Sequence, residues 1–164
     1  MKRSIAVVAA VLILLVSLAG CSQSNGGNSA GIDRVYLLSG RNDLIEINNG
    51  AIILTSKIEK FIGGELSFRG EELSGIKDYR TEFYFYLNGD KTIINSNISS
   101  IEGSEEGLII APDMGTASSE KMFNMEVWGI ITGSEAVHFS LSGTLMNGET
   151  FEYSLVLNVN EVLT

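Results

Sequence analysis

Apolar and polar side chains alternate along most of the chain from residue 33 onward. Phe83, Phe85 and Leu87 are interleaved with Glu82, Tyr84 and Tyr86. Val137, Phe139, Leu141 and Leu145 alternate with His138, Ser140, Ser142 and Thr144, and Phe151, Tyr153, Leu155, Leu157 and Val159 with Glu152, Ser154, Val156 and Asn158. The same spacing sets Phe123, Met125, Val127 and Ile131 against Asn124, Glu126, Trp128 and Ile130. An extended chain points successive side chains to opposite faces, so each run predicts a strand with one apolar face.

Three Asn-Gly pairs, Asn49-Gly50, Asn88-Gly89 and Asn147-Gly148, fall between such runs. Reversing a chain within two residues needs positive φ, which Asn and Gly tolerate best, so the three pairs predict three hairpins. A two-residue turn at Asn49-Gly50 sets Ile47 opposite Ile52 and Ile45 opposite Leu54, all on one face. At Asn147-Gly148 a two-residue turn would send the apolar sets to opposite faces. A three-residue loop, Met146-Asn147-Gly148, with Gly148 left-handed in a G1 bulge, sets Leu141 opposite Tyr153 and Phe139 opposite Leu155, and is the expected form.

Helix signals are confined to Asp113–Phe123, where Pro112 and Ser/Thr caps allow a short turn that Gly115 limits. Lys57–Gly64 reads as an extended strand bent at Gly63-Gly64, because Ile58, Ile62, Leu66 and Phe68 share parity with Ile52 and Leu54. About eight to ten strands without crossover helices predict an all-β domain. The expected arrangement is an antiparallel β-sandwich of immunoglobulin-like type. The alternative is an up-and-down β-barrel, lipocalin-like, whose interior would hold a ligand. Consecutive hairpins suit the barrel, whereas the non-hairpin stretches 69–78 and 103–121 suit crossings between two sheets.

The first residues follow a different pattern. Lys2 and Arg3 precede Ile5–Leu18, a run of 14 residues whose one polar side chain is Ser17. This is secretory-leader anatomy, shorter than the roughly 20 apolar residues that span a bilayer core. The run ends in Leu18-Ala19-Gly20-Cys21, which resembles the lipobox of bacterial lipoprotein precursors. In that family the cysteine thiol accepts a diacylglyceryl group and the small residues before it fit the signal peptidase. The resemblance implies that 1–20 is a removed signal peptide. It also implies that Cys21 is the lipid-bearing first residue of the mature chain, and that the membrane is a partner through that lipid. Buried acyl chains contribute about 0.8 kcal/mol per CH₂, so two or more hold a soluble domain at a membrane. Residues 22–31 carry no charge and one apolar side chain, Ala30. Residues 21–32 are therefore expected to act as lipidated cysteine and flexible linker, with a reach on the order of 17 Å, leaving 33–164 as the all-β domain.

Charge narrows the partners. Of 11 Lys and Arg, two lie in the leader, so nine stand against 20 Asp and Glu beyond Cys21, a net of −11. Nucleic acid is excluded as a partner on that balance. One Cys and one His exclude an internal disulfide and a His-rich metal site. No nucleophile-elbow, zinc-protease, phosphate-loop or paired-cysteine motif occurs, so no catalytic residue, metal or cofactor is assigned. His138 reads as a solvated or hydrogen-bonded strand histidine. Glu71, Glu72, Glu105, Glu106 and Asp113 read as solvated loop acids, without the alternating spacing of a calcium loop.

One constellation carries a binding expectation. Tyr84, Tyr86 and Trp128 take the faces opposite the apolar stripes of their runs, in company with Glu82 and Glu126. Such a face can stack a sugar ring or receive a peptide. The expected function is a non-enzymatic, membrane-anchored binding or scaffolding β module outside the bacterial cytoplasm, facing an envelope protein, peptide or glycan. Alternatives are a lipocalin-like carrier of a small apolar ligand and an envelope hydrolase using loop carboxylates.

Overall fold

The computed structural model describes residues 32–70, 73–101, 107–123, 128–129, 131 and 137–163. The leader, Cys21, the linker and Glu126 lie outside them. Among the described residues there are nine strands: β1 (Ile32–Arg41), β2 (Ile45–Thr55), β3 (Glu59–Ile62), β4 (Glu65–Phe68), β5 (Ile76–Leu87), β6 (Asp90–Ser100), β7 (Thr116–Ser119), β8 (Val137–Leu145) and β9 (Thr150–Leu163). They pair antiparallel in the order β6-β5-β8-β9-β1-β2-β3-β7, with β4 also on β2. The all-β, antiparallel expectation holds, and of the two arrangements weighed the chain adopts the barrel-like one: a single sheet curled until its ends almost meet.

The 14-residue β9 joins the two halves, pairing β8 through Thr150–Leu157 and β1 through Asn158–Leu163. The gap between β6 and β7 is bridged by a strap, residues 107–115. Its amides and carbonyls connect Leu108 to Ile76 (2.7 Å), Pro112 to Leu66 (2.8 Å), Met114 to Gly64 (2.9 Å) and Gly115 to Gly63 (2.8 Å). Asn95 Nδ2 on β6 donates to Met114 O at 3.3 Å, tying one end of the sheet to the strap.

Asn49-Gly50 does not form the expected hairpin. β2 runs straight through it, with Asn49 at φ 60° inside the strand. The register with β1 slips from Leu38↔Gly50 to Gly40↔Ile47, so β2 carries one extra residue, a β-bulge. The bulge changes parity and leaves Ile45, Ile47 and Ile52 all fully buried. The reversals on either side of β2 use side-chain oxygens instead. Asn42 Oδ1 accepts from the Leu44 and Ile45 amides, both at 2.9 Å, and Thr55 Oγ1 accepts from Ile58 N at 2.8 Å.

The bend at Gly63-Gly64 is where expected, between β3 and β4, and it lies against the β2 bulge. Gly64 has φ +80°, and a Cβ there would fall 2.2 Å from Asn48 O. In β3, however, Phe61 is the fully buried residue, while Ile58 just before the strand is 49% exposed and Ile62 is only half-buried, so the inward parity expected for Ile58 and Ile62 is reversed.

The other two hairpins form as expected. Asn88 (φ 53°) and Gly89 (φ 88°) make a two-residue turn between paired Leu87 and Asp90. At the third, Gly148 (φ 88°) donates to Leu145 O, and Leu141↔Tyr153 and Phe139↔Leu155 are paired as the three-residue loop requires. The predicted helical turn and the predicted strand near residue 120 exchange places. Thr116–Ser119 is strand β7, whereas Trp128, Gly129 and Ile131 are helical. The Pro112 and Gly115 region pairs with β3 and β4, and that tertiary pairing overrides local helix capping.

The barrel interior is filled. Tyr36, Phe61, Phe83, Ile131, Phe139, Leu141 and Leu157 are each at most 2% exposed. The Phe83 ring meets Phe61 at 5.0 Å and Phe139 at 4.9 Å between centroids, so β3, β5 and β8 interlock at the centre. Burying each such side chain contributes about 1.5–3 kcal/mol.

Candidate functional site

Inward Phe83 and Phe85 force Glu82, Tyr84 and Tyr86 onto the outer face of β5. Register decides their neighbours: Glu82 lies opposite Ser140, Tyr84 opposite His138 on β8 and Ile93 on β6, and Tyr86 opposite Lys91 on β6. The imidazole of His138 stacks on Tyr84 with centroids 5.2 Å apart and planes 14° from parallel. Tyr86 stands edge-on to both, at 5.6 Å from Tyr84 and 5.3 Å from His138. Lys91 Nζ sits 4.0 Å from the centroid of the Tyr84 ring, a cation–π contact.

The same ammonium forms an ion pair with Glu82, whose other carboxylate oxygen accepts from Arg80 Nη1 at 3.3 Å. Glu82 is only 8% exposed, so a buried carboxylate is held between two cations that reach solvent. Tyr84, roofed by these neighbours, is 8% exposed although it faces away from the core, whereas Tyr86 is 49% exposed. Burial first, and then the Tyr86 hydroxyl, raise the Tyr84 phenol above its ordinary pKa. Burial lowers that of His138.

Glu82, Tyr84 and Tyr86 therefore come together as the pattern predicted. Three further side chains join them: His138, expected to be a solvated or hydrogen-bonded strand residue, together with Lys91 and Arg80. The alternation of β8 put His138 on the outer side, but its position opposite Tyr84 depends on register, which spacing alone does not provide. Trp128 is elsewhere. It packs at 5.9 Å on Tyr36 and 5.3 Å on Phe123, both core residues. Strand parity had put Trp128 on the outer side, and parity has no meaning for a residue in helical conformation.

Among the described residues, surface clefts lie apart from this cluster. One of about 280 Å³ lies beneath the strap, between Leu66, Phe68, Leu73, Ile110 and Pro112. Another, about 310 Å³, lies between Arg34, Leu54 and Trp128. The third, about 300 Å³, is polar and opens on β1, β2 and β9, lined by Ser39, Arg41, Glu46, Asn48, Val156 and Asn158. It forms where the β1–β9 ladder stops at Ser39↔Asn158; beyond it the Asn42 side chain, not a backbone amide, reaches Ser154 O at 2.9 Å.

Fold and surface together define an antiparallel, almost closed β-barrel with a packed interior and an aromatic, charge-paired cluster on its outside. No known protein family, curated protein or solved structure matches the chain.

Proposed function

We propose that this protein is a lipid-anchored, non-enzymatic binding module of the bacterial envelope. The lipid is carried on Cys21, and the ligand is received on the outer face around Tyr84 and Tyr86. The observation that carries the anchoring is Leu18-Ala19-Gly20-Cys21 directly after an apolar leader and before an uncharged linker. The filled interior supports a surface binder over an internal carrier, because Phe61, Phe83 and Phe139 occupy the space a lipocalin-like ligand would take. Glu82, neutralised by Lys91 and Arg80, supports a positioning role for the carboxylate nearest the cluster rather than acid–base chemistry.

Anchoring is tested by labelling cells with a fatty acid. The wild-type chain should incorporate label and Cys21→Ala should not; equal labelling of both removes the lipobox reading. The face is tested by retention of the purified protein on isolated bacterial envelopes. Tyr86→Ser, at an exposed position, should reduce retention without lowering the melting temperature. Unchanged retention would remove this face as the binding surface.

A further inference from the structure

We infer that the polar cleft between β1 and β9 and the Tyr86–His138 cluster are two ends of one binding surface for a neutral, hydroxyl-rich oligosaccharide. The inference rests on the outer-face reading above and names its ligand class.

Register makes the surface continuous. Tyr84 is opposite His138, His138 is opposite Val156, and Val156 lines the cleft together with Arg41 and Glu46. A row of side chains thus crosses β5, β8, β9, β1 and β2 on the outer side of the barrel. Two of its members, Tyr86 at one end and Val156 near the middle, are 49% and 45% exposed. From Val156 to Tyr84 is two strand spacings, about 10 Å, so a ligand reaching from Val156 to the Tyr84–Tyr86 pair must be longer than a single sugar ring.

Chemistry selects the class. The cleft carries one cation, Arg41, one anion, Glu46, and the neutral groups of Ser39, Asn48 and Asn158. None of these side chains is engaged in a hydrogen bond or ion pair among the described residues. Planar amide, carboxylate and guanidinium groups offer paired donors and acceptors that match neighbouring hydroxyls, and the balance of charge favours an uncharged ligand. A polyanion meets a chain of net charge −9. An extended peptide would bind best by adding a strand, but beyond Ser39↔Asn158 the β9 edge is already covered, by Asn42 Nδ2 on Ser154 O and by Gly40, where a Cβ would fall 2.8 Å from Val156 O. The exposed Tyr86 ring supplies a flat apolar platform for the C–H face of a sugar.

The test uses the purified full-length protein and two probes, the β-1,4-linked tetramers of N-acetylglucosamine and of glucose, titrated calorimetrically. At least one tetramer should bind, and more tightly than its monosaccharide. Asn158→Ala, Arg41→Ala and Tyr86→Ser should each weaken it about five- to ten-fold, the loss expected for one good contact, with unchanged melting temperature. If neither tetramer binds while a peptide panel does, the ligand class is overturned and the outer-face reading stands. If Tyr86→Ser weakens binding but the cleft variants do not, the continuity is overturned. If none of the three variants changes the binding of a tetramer, both the inference and the outer-face reading fall.

Discussion

His138 and Tyr84 lie ring on ring across two neighbouring strands, 5.2 Å apart and within 14° of parallel, with the Lys91 ammonium also over the Tyr84 ring. A histidine so placed gives up water on one face, and its charged form is disfavoured.

The pH dependence follows from that burial. The folded pKa of His138 is lowered below its ordinary 6.5, so the unfolded chain binds the proton more readily. The stability contributed by the neutral ring is present above pH 6.5 and is lost as pH falls toward the folded pKa. Arg80 and Lys91 on β5 and β6, Glu82 between them, and Glu152 on β9 are charged groups sharing this face. Because the chain has one histidine, a single imidazole resonance reports the titration by NMR. Its midpoint should lie below 6.5, and His138→Phe should flatten the loss of melting temperature over the same range. A midpoint at or above 6.5 contradicts the buried stack.

Gly64→Ala should be more damaging than Gly89→Ala. Both positions have positive φ, but a Cβ at Gly64 meets Asn48 O at 2.2 Å, and one at Gly89 meets nothing within 4 Å. Backbone strain costs each of them about 1–3 kcal/mol, and overpacking adds roughly another 1–3 kcal/mol at Gly64 alone. Urea unfolding of the two variants measures the difference; equal midpoints would mean the bend does not press on the β2 bulge.

Phe83→Ala should cost about 3–5 kcal/mol, the range for deleting a buried aromatic side chain. Phe83 touches Phe61 and Phe139 and is 1% exposed. A loss under about 1 kcal/mol in chemical denaturation would be inconsistent with a filled barrel centre.

Trp128→Ala should lower the melting temperature yet leave retention on envelopes unchanged, because the indole packs on Tyr36 and Phe123 rather than beside Tyr84. Tyr86→Ser should show the opposite pair of effects. Loss of retention with an unchanged melting temperature for Trp128→Ala would return the indole to the ligand face.

Much of this architecture was legible in the residues. The period of two in β5, β8 and β9 placed the inward faces, and the mismatch of parity across Asn147-Gly148 called for the three-residue loop that forms. The parity change between Ile47 and Ile52 was equally real but ambiguous. A two-residue turn and a one-residue bulge leave the same trace, and the choice depends on strands β1 and β4, which pair with β2 from elsewhere in the chain. Trp128 misled for a related reason: apolar spacing over 123–131 suits a strand, and a short helical segment laid against Tyr36 satisfies the same burial. Of the candidate site, alternation placed Glu82, Tyr84 and Tyr86, while Lys91 and His138 arrive through cross-strand register that local pattern does not encode.

β9 holds both β8 and β1, so the first strand of the domain waits for the last before the sheet can join up. A chain emerging amino end first cannot finish folding while that last strand is still being delivered. Contacts so distant along the chain also slow closure. The two halves of the sheet can therefore be joined only once β9 is available, since among the described strands it alone lies between β8 and β1.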